Sequence, residues 1–247
     1  MQALSSADYP DLWERGHQLH ALDRGLLALA AALPDTPQES LANWPLGRRN
    51  RALMELQCVC FGRTLQGQIS CPQCAEMLEF RMDGQVLLTH CGTGVPPVRT
   101  AGTAVAPGTE TIVAKGQSFR LPTTRDLARV MRETEPRLAA IQLVESCRVG
   151  TTEVAEWSDQ DVEEIGERMA AVDPMAEIRL KFDCAQCGHQ WEESLDIVAF
   201  LWMEIEARAK RLLMEVHTLA AAYGWTEKEI LSLSEPRRRL YLEMVRA

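Results

Sequence analysis

KFDCAQCGHQW (residues 181–191) sets a CxxC pair between two runs of strand-like residues. Thiols at that spacing can hold a metal, shuttle electrons, close a disulfide or attach a haem, and each use needs different neighbours. A thioredoxin-type pair sits at a helix N-terminus, where the helix dipole favours the thiolate; here the cysteines run into strand-like residues. A c-type haem needs CxxCH, and Gly188 separates Cys187 from His189. The stretch also has a partner. Aligned on their cysteines, CPQCAEMLEFRMD (71–83) and CAQCGHQWEESLD (184–196) share Cys, Gln, Cys, then Glu79/Glu192 and Asp83/Asp196. Each is flanked by strand-like runs, GQIS with EMLEF and RLKFD with HQWEE. Strand, CxxC turn, strand describes a zinc knuckle, whose tight turn points two thiolates to one side and frees backbone N–H groups to hydrogen-bond the sulfurs. Two facing knuckles supply a tetrahedron of four thiolates, which suits Zn²⁺. An iron–sulfur cluster could also use four cysteines, but paired knuckles suit a ribbon better. The reading is one structural zinc per chain on Cys71, Cys74, Cys184 and Cys187, a closed site with no position left for substrate.

From Cys74 to Cys184 the gap is 110 residues, far wider than zinc ribbons usually allow. The sequence between them reads as an insertion splitting one ribbon, so that a metal would close a long loop that is otherwise entropically costly to close. The insertion begins with GTGVPPVRTAGTAVAPG (92–108), rich in Gly, Pro, Thr and Ala and read as a flexible linker. ETIVAKGQSFRLP (110–122) follows as a hairpin turning at Lys115-Gly116. Helices are expected from near Arg125, from Pro136 to about Arg148, and from a Ser158/Asp161 capping box. Residues 151–173 carry eight acids and one arginine, read as a solvated helix face.

Outside the insertion, leucines 12, 19, 22, 26, 29 and 33 predict one amphipathic helix over 10–33. A second is expected over 47–61, with Leu53, Leu56 and Val59 inward. The strongest helical pattern runs over 196–223, its stripe formed by Leu201, Ile205, Ala209, Leu212, Val216, Leu219 and Tyr223, with Glu204 and Arg208 paired on the opposite side. Phe200, Trp202 and Leu213 lie off that stripe. Gly224 ends the helix, a Thr226/Glu229 capping box opens the next, and EPRRRLYLEMV closes the chain. The fold class is α+β and predominantly helical: a split four-cysteine zinc-ribbon-like β element with a long helical insertion and a long C-terminal helix. Its parts are N-terminal helices (1–62), a first knuckle (63–91), a linker (92–109), a hairpin and helical insertion (110–172), a second knuckle (173–195) and a C-terminal helical region (196–247).

The remaining residues offer little chemistry. Cys58, Cys60 and Cys147 lie in helical segments and read as buried small apolar residues, while Cys91 beside His90 lacks ligand spacing. His17, His20 and His217 have no partner at metal-binding spacing, and there is no GxSxG, HExxH or P-loop motif. No catalytic residue and no small-molecule substrate are expected. A net charge of −9 disfavours nucleic-acid binding, and Arg237, Arg238 and Arg239 are balanced by Glu235 and Glu243. The N-terminus lacks a secretory pattern, no apolar run has the length of a membrane span, and the cytoplasm is the expected compartment.

WPLGRRNRALMEL (44–56), the first knuckle, SFRLPTTRDLA (118–128), residues 173–213 around the second knuckle, and EVHTLAAAYGWTEKEILSLSEPRRRLYLEMV (215–245) together resemble one family. They resemble the zinc-knuckle proteins encoded with phage-tail-like contractile injection systems, and the C-terminal part is similar to baseplate hub assembly proteins of T-even-type myoviruses. The family's CxxC pairs fall on Cys71/Cys74 and Cys184/Cys187. The resemblance implies a non-catalytic baseplate component or assembly factor, with baseplate or hub proteins as partners and incorporation in a particle as a further possibility. The competing expectation is a zinc-ribbon adaptor in nucleic-acid metabolism.

Overall fold

Leucine periodicity over 10–33 predicts one helix, but packing makes two, α1 (Asp8–Gly16) and α2 (Ala21–Ala32). Gly16 lies so close to the Trp202 indole that a Cβ there would overlap the ring. The chain turns away, and the His20 ring caps α2 by accepting the Leu22 N–H at 3.3 Å. Arg24 reaches back to donate to the carbonyls of Gly16 (3.0 Å), which also accepts the Leu19 N–H, and His17 (2.7 Å) at the end of α1. The computed structural model describes residues 1–90, 111–150 and 157–246. The expected linker, Cys91 and the first part of the acidic stretch lie outside these.

Two more helices, α3 (Gln38–Ala42) and α4 (Leu46–Phe61), lead to the first hairpin, β1 (Thr64–Ser70) and β2 (Met77–Asp83), and a short helix α5 (Gly84–His90). Leu53 and Leu56 of α4 are fully buried, but Val59 is 55% exposed. In that last turn the inward side is carried by Cys58, Cys60 and Phe61, which are half-buried against the main core.

Residues 111–150 and 157–172 have a hydrophobic core of their own. Hairpin β3 (Thr111–Ala114) and β4 (Gln117–Arg120) turns at Lys115-Gly116, both with positive φ, and a two-residue strand β5 (Arg148–Val149) pairs with β4. Around this sheet lie α6 (Thr124–Val130), α7 (Pro136–Cys147) and α8 (Asp159–Val172), which enclose Phe119, Val144, Cys147, Trp157 and Ile165. Capping boxes open α6 (Thr123 with Asp126) and α8 (Ser158 with Asp161). Burial alone would raise the Asp126 carboxyl, but hydrogen bonds from Arg120 and Thr123 outweigh it and hold it at about 2. The acidic stretch is not wholly solvated, because Asp161 and Glu164 pair with Lys115 of the hairpin at 3.1 and 2.6 Å.

The N-terminus of α4 joins this unit to the rest. Pro45 bridges Thr123, and the Leu46 N–H donates to the Pro122 carbonyl at 3.0 Å. The Gly47 N–H donates to the Asp173 carboxylate at 2.8 Å, and a Cβ on Gly47 would overlap that carboxylate. Buried Arg49 bonds Asn50 and Thr124, while Asn50 donates to the carbonyls of Met175 and Ala176. Three sequence stretches, WPLGRRN, LPTT and DPMA, thus meet at one polar joint.

Beyond it come the second hairpin, β6 (Arg179–Asp183) and β7 (Gln190–Ser194), and the 27-residue helix α9 (Ile197–Tyr223), about 40 Å long at 1.5 Å per residue. The Asp196 carboxylate caps α9 by accepting the Ala199 N–H. The first half of α9 fills the main core, where Leu201, Ile205, Ala209 and Leu212 meet Leu12, Leu29, Leu53 and Leu56. Phe200 and Trp202, off the predicted stripe, are buried there as well. The second half meets α10 (Glu227–Ser232) and α11 (Glu235–Arg246) through Leu219, Ile230 and Leu242. Tyr223 leaves the stripe and stacks on Trp225 instead, with ring centroids 4.7 Å apart. Arg208 pairs with Glu235 of α11 at 2.7 Å, not with Glu204 as i,i+4 spacing predicts. Arg238, one of the three arginines read as balanced by Glu235 and Glu243, is 1% exposed and bonds Glu215 instead at 2.6 Å and the Leu233 carbonyl at 3.0 Å. The fold is α+β, mostly helical with small antiparallel sheets. Among the described residues, no helix is long and apolar enough to cross a membrane.

Candidate metal centre

Each hairpin ends in a CxxC turn. Strands β1 and β2 pair in register from Thr64↔Asp83 to Ser70↔Met77, and β6 and β7 from Arg179↔Ser194 to Asp183↔Gln190. The turns match bond for bond. Cys71 N–H donates to the Glu76 carbonyl (2.8 Å) and Ala75 N–H to the Cys71 carbonyl (2.9 Å); in the second hairpin Cys184 N–H donates to His189 (2.9 Å) and Gly188 N–H to Cys184 (2.8 Å). The residue after the second cysteine is left-handed in both, Ala75 at φ 61° and Gly188 at φ 72°.

The turns face each other. Cys71 Sγ lies 3.7 Å from Cys187 Sγ, Cys74 Sγ lies 3.6 Å from Cys184 Sγ, and all four sulfurs fall within 4.8 Å of one another. Cysteine sulfurs about 2.3 Å from one tetrahedral ion stand about 3.8 Å apart, so the donor set fits a single ion. A disulfide needs about 2.05 Å, and the four are free thiols. An iron–sulfur cluster holds its cysteines through separate irons and spreads them more widely. Cys71 and Cys184 are buried, whereas Cys74 and Cys187 are exposed.

Backbone N–H groups of Cys74 and Gln73 bond the Cys71 sulfur, that of Glu76 bonds Cys74, and that of His189 bonds Cys187. Burial opposes ionisation of Cys71, but these N–H groups and the neighbouring thiols bring it down to about 7. At Cys74 the Glu76 N–H favours the thiolate, yet partial loss of water around the sulfur and the adjoining sulfurs outweigh it and push the thiol up to about 12. Four thiols in so small a space cannot all ionise unaided. A bound cation is what would let them do so.

Aromatic rings join the hairpins. Phe80 of β2 meets Phe182 of β6 edge-on at 5.6 Å, Trp191 of β7 stacks on Phe182 at 5.5 Å, and His189 stacks on Trp191 at 5.8 Å. Sequence reading missed this seam, although Phe182 and Trp191 are directly opposed across the ladder. The shared Glu192 lies on the solvent side, 3.5 Å from Lys181.

The other candidates stay apart from the centre. Cys147 is buried, and Cys58 and Cys60 are half-buried; burial raises the thiols of Cys58 and Cys147. Cys60 accepts the Leu4 N–H at 3.4 Å. His17, His20 and His217 are exposed. No protein-family model, curated protein or solved structure matches the chain.

Proposed function

We propose that Cys71, Cys74, Cys184 and Cys187 hold one structural zinc ion that completes a split zinc-ribbon-like element. On this reading the protein is a non-catalytic structural or assembly component of a phage-tail-like contractile particle, in contact with baseplate or hub proteins. The observation that carries the proposal is the meeting of two CxxC turns from hairpins 110 residues apart in the chain. Four thiolates close the coordination of zinc, so the ion holds the chain and does not act on a substrate. The particle is inferred from the family resemblance of residues 44–56, 118–128 and 173–245. It is supported by apolar side chains left in solvent on α9 and α11, where Met203, Met214, Leu240 and Met244 are each more than half exposed.

Metal analysis of the purified protein should give one zinc per chain, lost in both Cys74→Ser and Cys187→Ser. Retention of full zinc in both variants would refute a shared site. Replacing Leu240 and Met244 together by Glu should leave zinc in place and abolish co-purification with baseplate components. A complex that survives the double substitution would move the interface elsewhere. The second reading, a nucleic-acid adaptor, is favoured by the aromatic seam beside the cysteines. It is opposed by the net charge of −9 and by Glu192 and Glu193 on the same hairpin. Salt-sensitive DNA binding tighter than the non-specific range of about 10⁻⁴–10⁻⁶ M would promote it.

A further inference from the structure

We propose that the four-cysteine centre is also an oxidation site, at which a peroxide expels the metal and leaves two disulfides running between the hairpins, Cys71–Cys187 and Cys74–Cys184. This rests on the reading of the centre as a zinc site. The sulfurs of these two pairs are 3.7 and 3.6 Å apart, so each must close by roughly 1.6 Å to reach a disulfide bond of about 2.05 Å. Each pair also combines one sulfur in solvent with one buried sulfur of the other hairpin: exposed Cys187 with buried Cys71, and exposed Cys74 with buried Cys184. The exposed member is the one an oxidant reaches, and the buried member is placed to resolve it.

The chemistry balances with hydrogen peroxide as the oxidant. The exposed thiolate attacks one peroxide oxygen, the O–O bond breaks, and a sulfenic acid and hydroxide form. The buried thiolate then attacks the sulfenic sulfur, the S–S bond forms, and a second hydroxide leaves. Two thiolates have lost two electrons, and one peroxide has been reduced to two hydroxides, which become water on taking up two protons. A second peroxide oxidises the second pair. Disulfide sulfurs no longer act as thiolate ligands, so Zn²⁺ is released. The new bonds span 116 and 110 residues, the same separations that the metal bridges. The oxidised chain therefore keeps its two hairpins tied, whereas a disulfide within either CxxC would untie them.

The test treats the full-length zinc-loaded protein with excess hydrogen peroxide and follows the metal with a chromogenic zinc indicator. The sample is then alkylated, cut with trypsin without reduction and mapped by mass spectrometry. Both first-hairpin cysteines fall in the tryptic peptide 64–81 and both second-hairpin cysteines in 182–208. Complete zinc release with these two peptides covalently joined is the expected result, and fragmentation of the joined species should assign Cys71 to Cys187 and Cys74 to Cys184. Separate peptides each containing an internal disulfide would overturn the proposal. So would sulfinic or sulfonic acid at Cys74 and Cys187 without linkage, or zinc that stays bound. If the protein is purified without zinc, the zinc reading fails by itself. Peroxide treatment of that metal-free protein, mapped in the same way, then decides the disulfide pairing separately.

Discussion

In hairpin β1–β2, Leu65 is fully buried in the main core, and Met82 packs against the same core. Hairpin β6–β7 has no side chain buried to that degree within its strands; Leu180, Phe182 and Trp191 are half-buried and the rest face solvent. Yet the two CxxC turns share the same hydrogen bonds and the same left-handed residue. One turn geometry thus stands on two foundations, a deep one and a shallow one. The shallow hairpin meets the main core through half-buried Leu180, and near its tip it meets the opposing sulfurs and the ring of Phe80. A metal at the centre should accordingly matter more to the second hairpin than to the first.

The strongest way to break this comparison is to remove the metal. Chelation should speed amide hydrogen exchange throughout residues 179–194, while residues 64–69 keep much of their protection. Equal loss of protection in both hairpins would show that their foundations do not differ. Truncating the deep anchor comes next: Leu65→Ala should cost about 2–5 kcal/mol by denaturant unfolding, and Leu180→Ala clearly less. A smaller effect separates the turns themselves. Gly188→Ala puts a Cβ on a left-handed residue, a strain of about 1–2 kcal/mol of which a stiffer unfolded chain returns roughly 0.4–1, so the net cost should be about 1 kcal/mol. Ala75 already carries that strain, and Ala75→Gly should stabilise by a similar net amount, about 1 kcal/mol. Smallest of all, Lys181→Ala removes an exposed pair with Glu192 and should leave the melting temperature unchanged within error at physiological salt.

The meeting of the four sulfurs was legible because the two CxxC stretches repeat each other's flanks, so one local motif could be recognised twice. Capping boxes at Ser158 and Thr226 were equally local, and helices begin after both. What escaped was set by distant partners. No periodicity reveals that Gly16 must make room for Trp202, so residues 17–20 read as continuous helix. Arg208 has a well-placed acid four residues away in Glu204, but it pairs with Glu235, 27 residues on. Arg238 looks like its neighbours Arg237 and Arg239 until α11 folds back on α9 and encloses it beside Glu215. The joint around Gly47, Arg49, Asn50 and Asp173 was not legible as a joint, because its partners lie about 75 to 126 residues away.

The separation of the two hairpins is also a matter of time. At synthesis rates of about 5–20 residues per second, the 110 residues between Cys74 and Cys184 take roughly 6–22 s to emerge. Throughout that interval the first hairpin carries two thiols without their partners, seated on a helix, α4, that was made before it. The intervening unit, with its own hydrophobic core, is complete at Val172, which leaves it roughly 0.6–2.4 s to settle on the start of α4 before Cys184 is made. The second hairpin therefore arrives at a nascent chain in which half the ligand set is already waiting.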